Sequence, residues 1–312
     1  MTDSTSSLDV AALRDFILVV DSGSLTRAAS LAGIAQPTMS QRIAQLEDQV
    51  GHRLLERGPR GVEATTAGLE LYRGAQQVVR QIDRLSESIG AAGSGIQGTV
   101  SIGLPATVAP TLVPELLAAV RERHPAVRLE LFESMSGYIE ELLGRGRLDL
   151  AVLFRVPGQL LPGDVRLYEE ELYLAARPGS DAAESPTTAE ALAGRPLVAP
   201  GRYSNLRRLV DRFFADAGLV PDVVADVESL AAMVRVAQAG VASAVLPRSV
   251  TTSLTGPELG LRPLDPPVRR TVVVNVAPEF YRPRAAVVAA RDAVVDAVAR
   301  IAGRDEWPGI TL

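Results

Sequence analysis

The stretch Ser24-Leu-Thr-Arg-Ala-Ala-Ser-Leu-Ala-Gly-Ile-Ala-Gln-Pro-Thr-Met-Ser-Gln-Arg-Ile-Ala-Gln-Leu-Glu47 decides the fold of the first part of the chain. Ser24 is a good N-cap for a helix from Leu25 to about Leu31, and Gly33 supplies a turn. Pro37 then sits near the first position of a new helix, where its missing N–H costs nothing. Met39, Ile43, Leu46 and Val50 form one apolar stripe along that helix. Two helices joined by a short glycine turn make a helix-turn-helix. Upstream, Leu13, Phe16, Ile17 and Val20 have the spacing of a preceding amphipathic helix. Downstream, Leu54–Arg57 and Val62–Thr65 flank Gly58-Pro-Arg-Gly61, which predicts a two-stranded wing.

From Thr66 to Ile89 the pattern changes to Leu71, Ala75, Val78, Ile82, Leu85 and Ile89, spaced 4, 3, 4, 3, 4. This is a heptad seam suited to pairing with a second helix, and a dimerising role is expected for it; an ordinary amphipathic helix is the alternative. Gly90-Ala-Ala-Gly-Ser-Gly95 reads as a joint. Beyond it, apolar runs of β type alternate with helical ones, which predicts α/β architecture with mostly parallel sheets. Strands are expected at Thr99–Leu104, Val127–Glu133, Leu148–Phe154, Leu172–Ala176, Leu197–Ala199, Val223–Val227, Ala242–Leu246 and Thr271–Val276. Helices are expected at Leu112–Arg123, Tyr138–Gly144, Leu206–Ala217, Leu230–Ala239 and Arg284–Ile301. The expected division is 1–65, 66–95, 96–303 and a loosely attached tail, 304–312.

Composition narrows the chemistry. All 32 basic side chains are arginine, cysteine is absent, and the two histidines, His52 and His124, lie far apart. Disulfides, thiol nucleophiles, lysine Schiff bases and a Cys- or His-built metal site are therefore excluded. Neither an enzyme nor a cofactor is expected. No export signal or apolar run long enough to cross a membrane is visible, so a cytoplasmic protein without a membrane partner is expected. The net charge of −5 gives no global basic footprint: residues 1–90 hold 9 Arg against 11 acidic residues, and the rest 23 against 26. Any affinity for nucleic acid must come from local placement.

The second helix of the motif supplies that placement. Its stripe faces inward and leaves Gln36, Thr38, Ser40, Gln41, Arg42 and Gln45 on the other surfaces. Gln can bridge adenine N6 and N7, and Ser or Thr hydroxyls can serve bases or phosphates. Arg53, Arg57 and Arg60 cluster on and beside the wing, where an Arg can reach phosphates or a narrow minor groove. In the α/β region the candidate ligand positions are loops after strands: Thr107, Phe154, Arg155, Arg202 and Ser204. Arg155 and Arg202 suit a carboxylate, and Ser204 is also a helix N-cap. The adjacent Glu140 and Glu141 point to different sides of a helix and read as a solvated face.

Val20–Ala29, Ile34–Ile43, Leu46-Glu47, Arg57–Val62 and Thr65–Gly68 together resemble the LysR-type transcriptional regulators, and Gly98–Leu104, Leu148–Val152 and Ala244–Pro247 extend the likeness into the second half. Ile34–Pro37, Glu170–Leu174 and Val227–Leu230 look most like the nitrogen assimilation control subgroup. The resemblance implies a winged helix-turn-helix, a long linker helix, and an effector domain folded like type 2 periplasmic binding proteins. That domain would have two subdomains joined by crossovers near Arg166 and Pro267. It implies a homotetramer built from dimers on double-stranded promoter DNA, possible contact with RNA polymerase, and a small-molecule effector in the cleft. Gln36, Pro37, Ser40 and Gln41 match the family's base-contacting positions, and Thr107 its effector loop. The chain departs from the family at Thr66, where Glu is usual, and at Gln41, where Arg is frequent. The alternative is a cytoplasmic solute-binding sensor without direct DNA readout, which leaves the N-terminal module unexplained.

Overall fold

Four helices and a hairpin form the first of two units in the computed structural model, which describes residues 8–58, 61–90, 95–179, 186–253, 258–277 and 284–312. The units are 1–93 and 94–312. Helix α1 (Val10–Ser22) is capped by Asp9, whose carboxylate accepts from the Ala11 N–H, and ends at Gly23 with φ 64°. Helix α2 (Leu25–Ala32) is capped by Ser24 as the sequence predicts, with Arg27 N–H donating to the hydroxyl. Helix α3 (Gln36–Val50) has Pro37 in its first turn and no side-chain cap. Phe16, Val19, Ala28, Met39, Ile43, Leu46 and Leu54 close the core between the three.

The wing pairs β1 (Leu55–Gly58) with β2 (Gly61–Ala64), Leu55 opposite Ala64. Its placement is fixed by backbone: Val62 N–H donates to Gly23 O at 2.9 Å, and Glu47 of α3 accepts from Leu54 N–H at 2.8 Å and Leu55 N–H at 3.1 Å. Helix α4 (Thr66–Gly90) starts hard against this hairpin. A Cβ on Gly68 would stand 2.0 Å from Leu54 O, so only glycine fits there. Ala75 and Val79 of α4 are buried in the three-helix core, with Ala67, Leu71 and Tyr72 packed beside them. This modifies the expected seam. Leu71 and Ala75 serve their own unit, whereas Val78 is 44% exposed and Ile82 half-buried. The side chains of Leu85 and Ile89 lie outside the described residues.

The second unit contains β3 (Gly98–Pro105), α5 (Ala109–Arg123), β4 (Val127–Ser134), α6 (Ser136–Gly144), β5 (Leu150–Arg155) and β6 (Val165–Ala176). It continues with β7 (Leu197–Ala199), α7 (Asn205–Ala215), β8 (Val223–Asp226), α8 (Leu230–Ala239), β9 (Ser243–Pro247), β10 (Gly260–Val276), α9 (Ala285–Gly303) and β11 (Ile310–Thr311). The strand order is β4-β3-β5-β10-β6-β9-β7-β8, with β11 along β6. The sheet is mixed rather than mostly parallel. β3 pairs with β4 and β5, and β7 with β8 and β9, in parallel; β10 with β5, β6 with β10, β9 and β11 are antiparallel.

β6 and β10 run through both halves of the sheet and are the two crossovers. Val273 and Val274 pair with Arg166 and Val165 at one end, and Gly260 with Ala176 at the other, with register irregularities after Pro263 and Val272. One lobe packs Ile102, Leu104, Val152 and Val272 against α5 and α9. The other packs Leu174, Leu197 and Val245 against α7, and Met233 and Ala237 of α8 against Ala244 and Leu246.

The tail is anchored, contrary to expectation. Trp307 is 2% exposed and lies 4.9 Å from the Tyr168 ring, and Arg304 bridges Glu115 and Glu306. Ile310 and Thr311 then pair with Glu170 and Glu169. A single tryptophan in a polar stretch gives no periodic signal, which is why sequence reading misses it.

Candidate functional site

Helix α3 presents a surface whose residue types suit a nucleic acid. Met39, Ile43 and Leu46 are fully buried and fix its rotation, leaving Gln36, Pro37, Thr38, Gln41 and Gln45 exposed and Ser40 half-buried. Arg42 belongs to a different class from its neighbours. Its Nη1 donates to Asp15 at 2.8 Å, and this hydrogen bond and charge raise its pKa. Asp15 is buried on α1, so the pair ties α3 to α1 and removes Arg42 from the free donors of the reading face. Arg53 is exposed immediately before β1, with its carbonyl accepting from Thr65 Oγ1 at 2.7 Å. The side chain of Arg57, and all of Arg60, lie outside the described residues.

In the second unit a cleft lies between the lobes, and its floor is already filled. The Arg270 guanidinium sits 3.4 Å above the Phe154 ring centroid and is paired with Glu170 at 2.5 Å, both side chains being 2% exposed. Arg270 also donates to Thr107 Oγ1 at 3.4 Å, and Ser249 Oγ to Glu170 at 3.5 Å. The void left among Thr107, Phe154, Ser204, Leu230, Met233 and Arg270 is about 30 Å³, room for one water. Two larger pockets flank it. One of about 560 Å³ lies toward Glu133, Ser229 and Arg235; the other, of about 500 Å³, lies toward Tyr138, Tyr203 and Ser204. Ser134, Met135 and Glu228 line both flanks, and Met135 packs onto the α8 core of the opposite lobe.

The sequence-derived ligand positions therefore divide. Thr107, Phe154 and Ser204 meet at the floor. Ser204 holds the N-cap position of α7 without a capping bond, and its buried Oγ has no partner. Arg155 is withdrawn from the cleft: it donates to Asp164 at 2.8 and 3.2 Å, to Glu140 at 2.7 Å and to the Phe154 carbonyl. Burial opposes its charge, but these partners outweigh burial and raise its pKa. Burial likewise pushes Asp164 up, yet hydrogen bonds from Arg155, Asn275 and the Leu161 N–H hold it below the usual carboxylate range. Arg202 is exposed and is not among the residues lining these pockets. Glu140 and Glu141 lie on the exposed face of α6 as expected, and there they pair with Arg155 and Arg145 respectively.

Sequence reasoning missed Arg270, Glu170, Met135, Tyr203 and Glu228. Arg270 lies just beyond Pro266 and Pro267, which obscure the strand it belongs to, and no local pattern marks the others. Among the described residues no group of carboxylates and histidines could hold a metal, and no helix is long and apolar enough to cross a membrane.

A winged helix-turn-helix joined to a two-lobed domain with a ligand cleft defines a one-component transcription regulator. Residues 10–69 match the bacterial regulatory helix-turn-helix protein model of the lysR family, and residues 93–299 match the LysR substrate binding domain. The chain belongs to the LysR family. It is 35% identical over 245 residues to the nitrogen assimilation regulatory protein nac of Escherichia coli (strain K12), covering 78% of this chain and 80% of that protein. Among solved structures it is similar to CbnR, a LysR family transcriptional regulator, at 22% identity and TM-score 0.69, covering 93% of this chain and 99% of the other. Full-length CbnR complexed with its target DNA matches at 24% identity and TM-score 0.66, over 94% of this chain and 99% of that one.

Proposed function

We propose that this LysR-type regulator reads promoter DNA through Gln36, Pro37, Thr38, Ser40, Gln41 and Gln45, with Arg53, Arg57 and Arg60 of the wing region contacting phosphate. The observation that carries this is the rotation of α3: three fully buried apolar residues turn a row of amides and hydroxyls outward. Arg42 is left out of the base-reading set because Asp15 holds it. The chain acts in the cytoplasm as a homo-oligomer, with Val78 and Ile82, followed in sequence by Leu85 and Ile89, as its pairing seam. A dimer doubles the phosphate contacts, which offsets the absence of a basic footprint. The CbnR complex with target DNA supports the docking. A tetramer of two such dimers, and the absence of enzymatic turnover, are part of the same reading.

The cleft between the lobes is the effector site, and a ligand that binds one closure of the lobes better than another shifts the population of DNA-bound arrangements. The test is selection of duplexes from a randomised pool by the full-length protein. We expect an enriched motif with two-fold related halves, as a dimer of reading heads requires. Recovery of unenriched sequence would contradict base readout.

A further inference from the structure

The pocket toward α6 and α7 has a chemistry of its own. It is about 500 Å³, within the range of small-metabolite sites, and is lined by Ser134, Tyr138, Glu141, Tyr203, Ser204 and Glu228. No arginine or histidine is among its described lining residues. Two aromatic rings reach it from opposite lobes: Tyr138 from the first turn of α6, 50% exposed, and Tyr203 from the loop before α7, 95% exposed. The walls approach closely, since a Cβ on Gly137 would stand 3.4 Å from Tyr203 O.

The charges favour one sign. Glu141 is paired with Arg145 at 2.5 Å. Glu228 accepts the Gly201 N–H at 2.7 Å and forms no ion pair among the described residues. At the back, Ser204 is 5% exposed, with an Oγ that has no hydrogen-bond partner. The nearby cations are placed outside this lining: Arg155 is held by Asp164 and Glu140, Arg270 by Glu170, Arg235 lines the other flank, and Arg202 is exposed beside Tyr203.

We infer that this flank of the cleft binds a small organic ammonium ion, with the Tyr138 and Tyr203 rings as its aromatic contacts and Glu228 as counter-charge. Electron-rich aromatic faces attract ammonium groups, and a carboxylate with no cationic partner completes the site. A carboxylate ligand would meet Glu228 with like charge. The inference rests on the reading of the cleft as an effector site.

The full-length protein, at constant ionic strength, is titrated calorimetrically with 1,4-diaminobutane and choline, and separately with succinate and benzoate. We expect saturable binding of at least one ammonium probe and none of the carboxylates. Tyr203→Ala, at an almost fully exposed position, should weaken that binding about five-fold or more, and Glu228→Gln about ten-fold or more. Carboxylate binding without ammonium binding overturns the assignment and leaves the effector reading intact. Binding by neither class overturns the ammonium assignment. Ammonium binding that both variants leave unchanged overturns the pocket.

Discussion

Arg42 lies one position beyond Gln41 on α3, and its guanidinium turns back to Asp15 at 2.8 Å while Gln41 is exposed. Arg42→Ala is expected to leave Asp15, a buried carboxylate, without its counter-charge, and so to lower stability. Chemical denaturation would check this, with weakened DNA binding following from the loss of fold rather than of a base contact. Arg53→Ala should leave stability unchanged and reduce the salt dependence of DNA affinity by about one unit of slope. An unaltered slope in a salt titration would count against phosphate contact. Gly68 is the third decisive residue, because its missing side chain lets α4 meet the Leu54 carbonyl.

At the scale of elements, the crossover strands separate what the sequence makes legible from what it hides. α2, α3 and the wing are readable because caps, glycines and a 3.6-residue stripe agree. β6 and β10 begin at Val165 and Gly260, well before the expected Leu172 and Thr271. Pro263, Pro266 and Pro267 read as a break in β10, and the run Glu169-Glu170-Glu171 masks the start of β6. Beside β5 and β10, Asp164 joins Arg155 to Asn275 in a buried cluster. Its pKa is depressed, so its stabilisation is present above the ordinary aspartate value and is lost as pH falls through the depressed value. Thermal melts between about pH 2 and 6 should show a smaller acid loss in Asp164→Asn than in the parent. Asp164→Ala should lower stability at neutral pH, because Arg155 stays buried with Glu140 as its remaining carboxylate partner.

Across the whole molecule, the two units follow different rules of legibility. The outward face of α3 could be foreseen because a single helix carries it, and its inward stripe determines its outward residues. The cleft could not, because Thr107, Phe154, Ser204 and Arg270 come together only through crossovers that sequence spacing does not encode. The heptad was readable as a pattern but not as a division of labour, since Leu71 and Ala75 pack within their own unit. The closing segment belongs to the folded second unit. Trp307→Ala should lower its unfolding free energy by about 3–5 kcal/mol, measured by denaturant titration, whereas a dispensable tail would show no change.

The most direct test of base readout by α3 is fluorescence anisotropy of parent and Gln41→Ala on a selected duplex and on a scrambled one, at one salt concentration. The account predicts a loss of about 1–3 kcal/mol on the selected duplex and unchanged affinity for the scrambled one. Equal losses on both, or no loss on either, would contradict it.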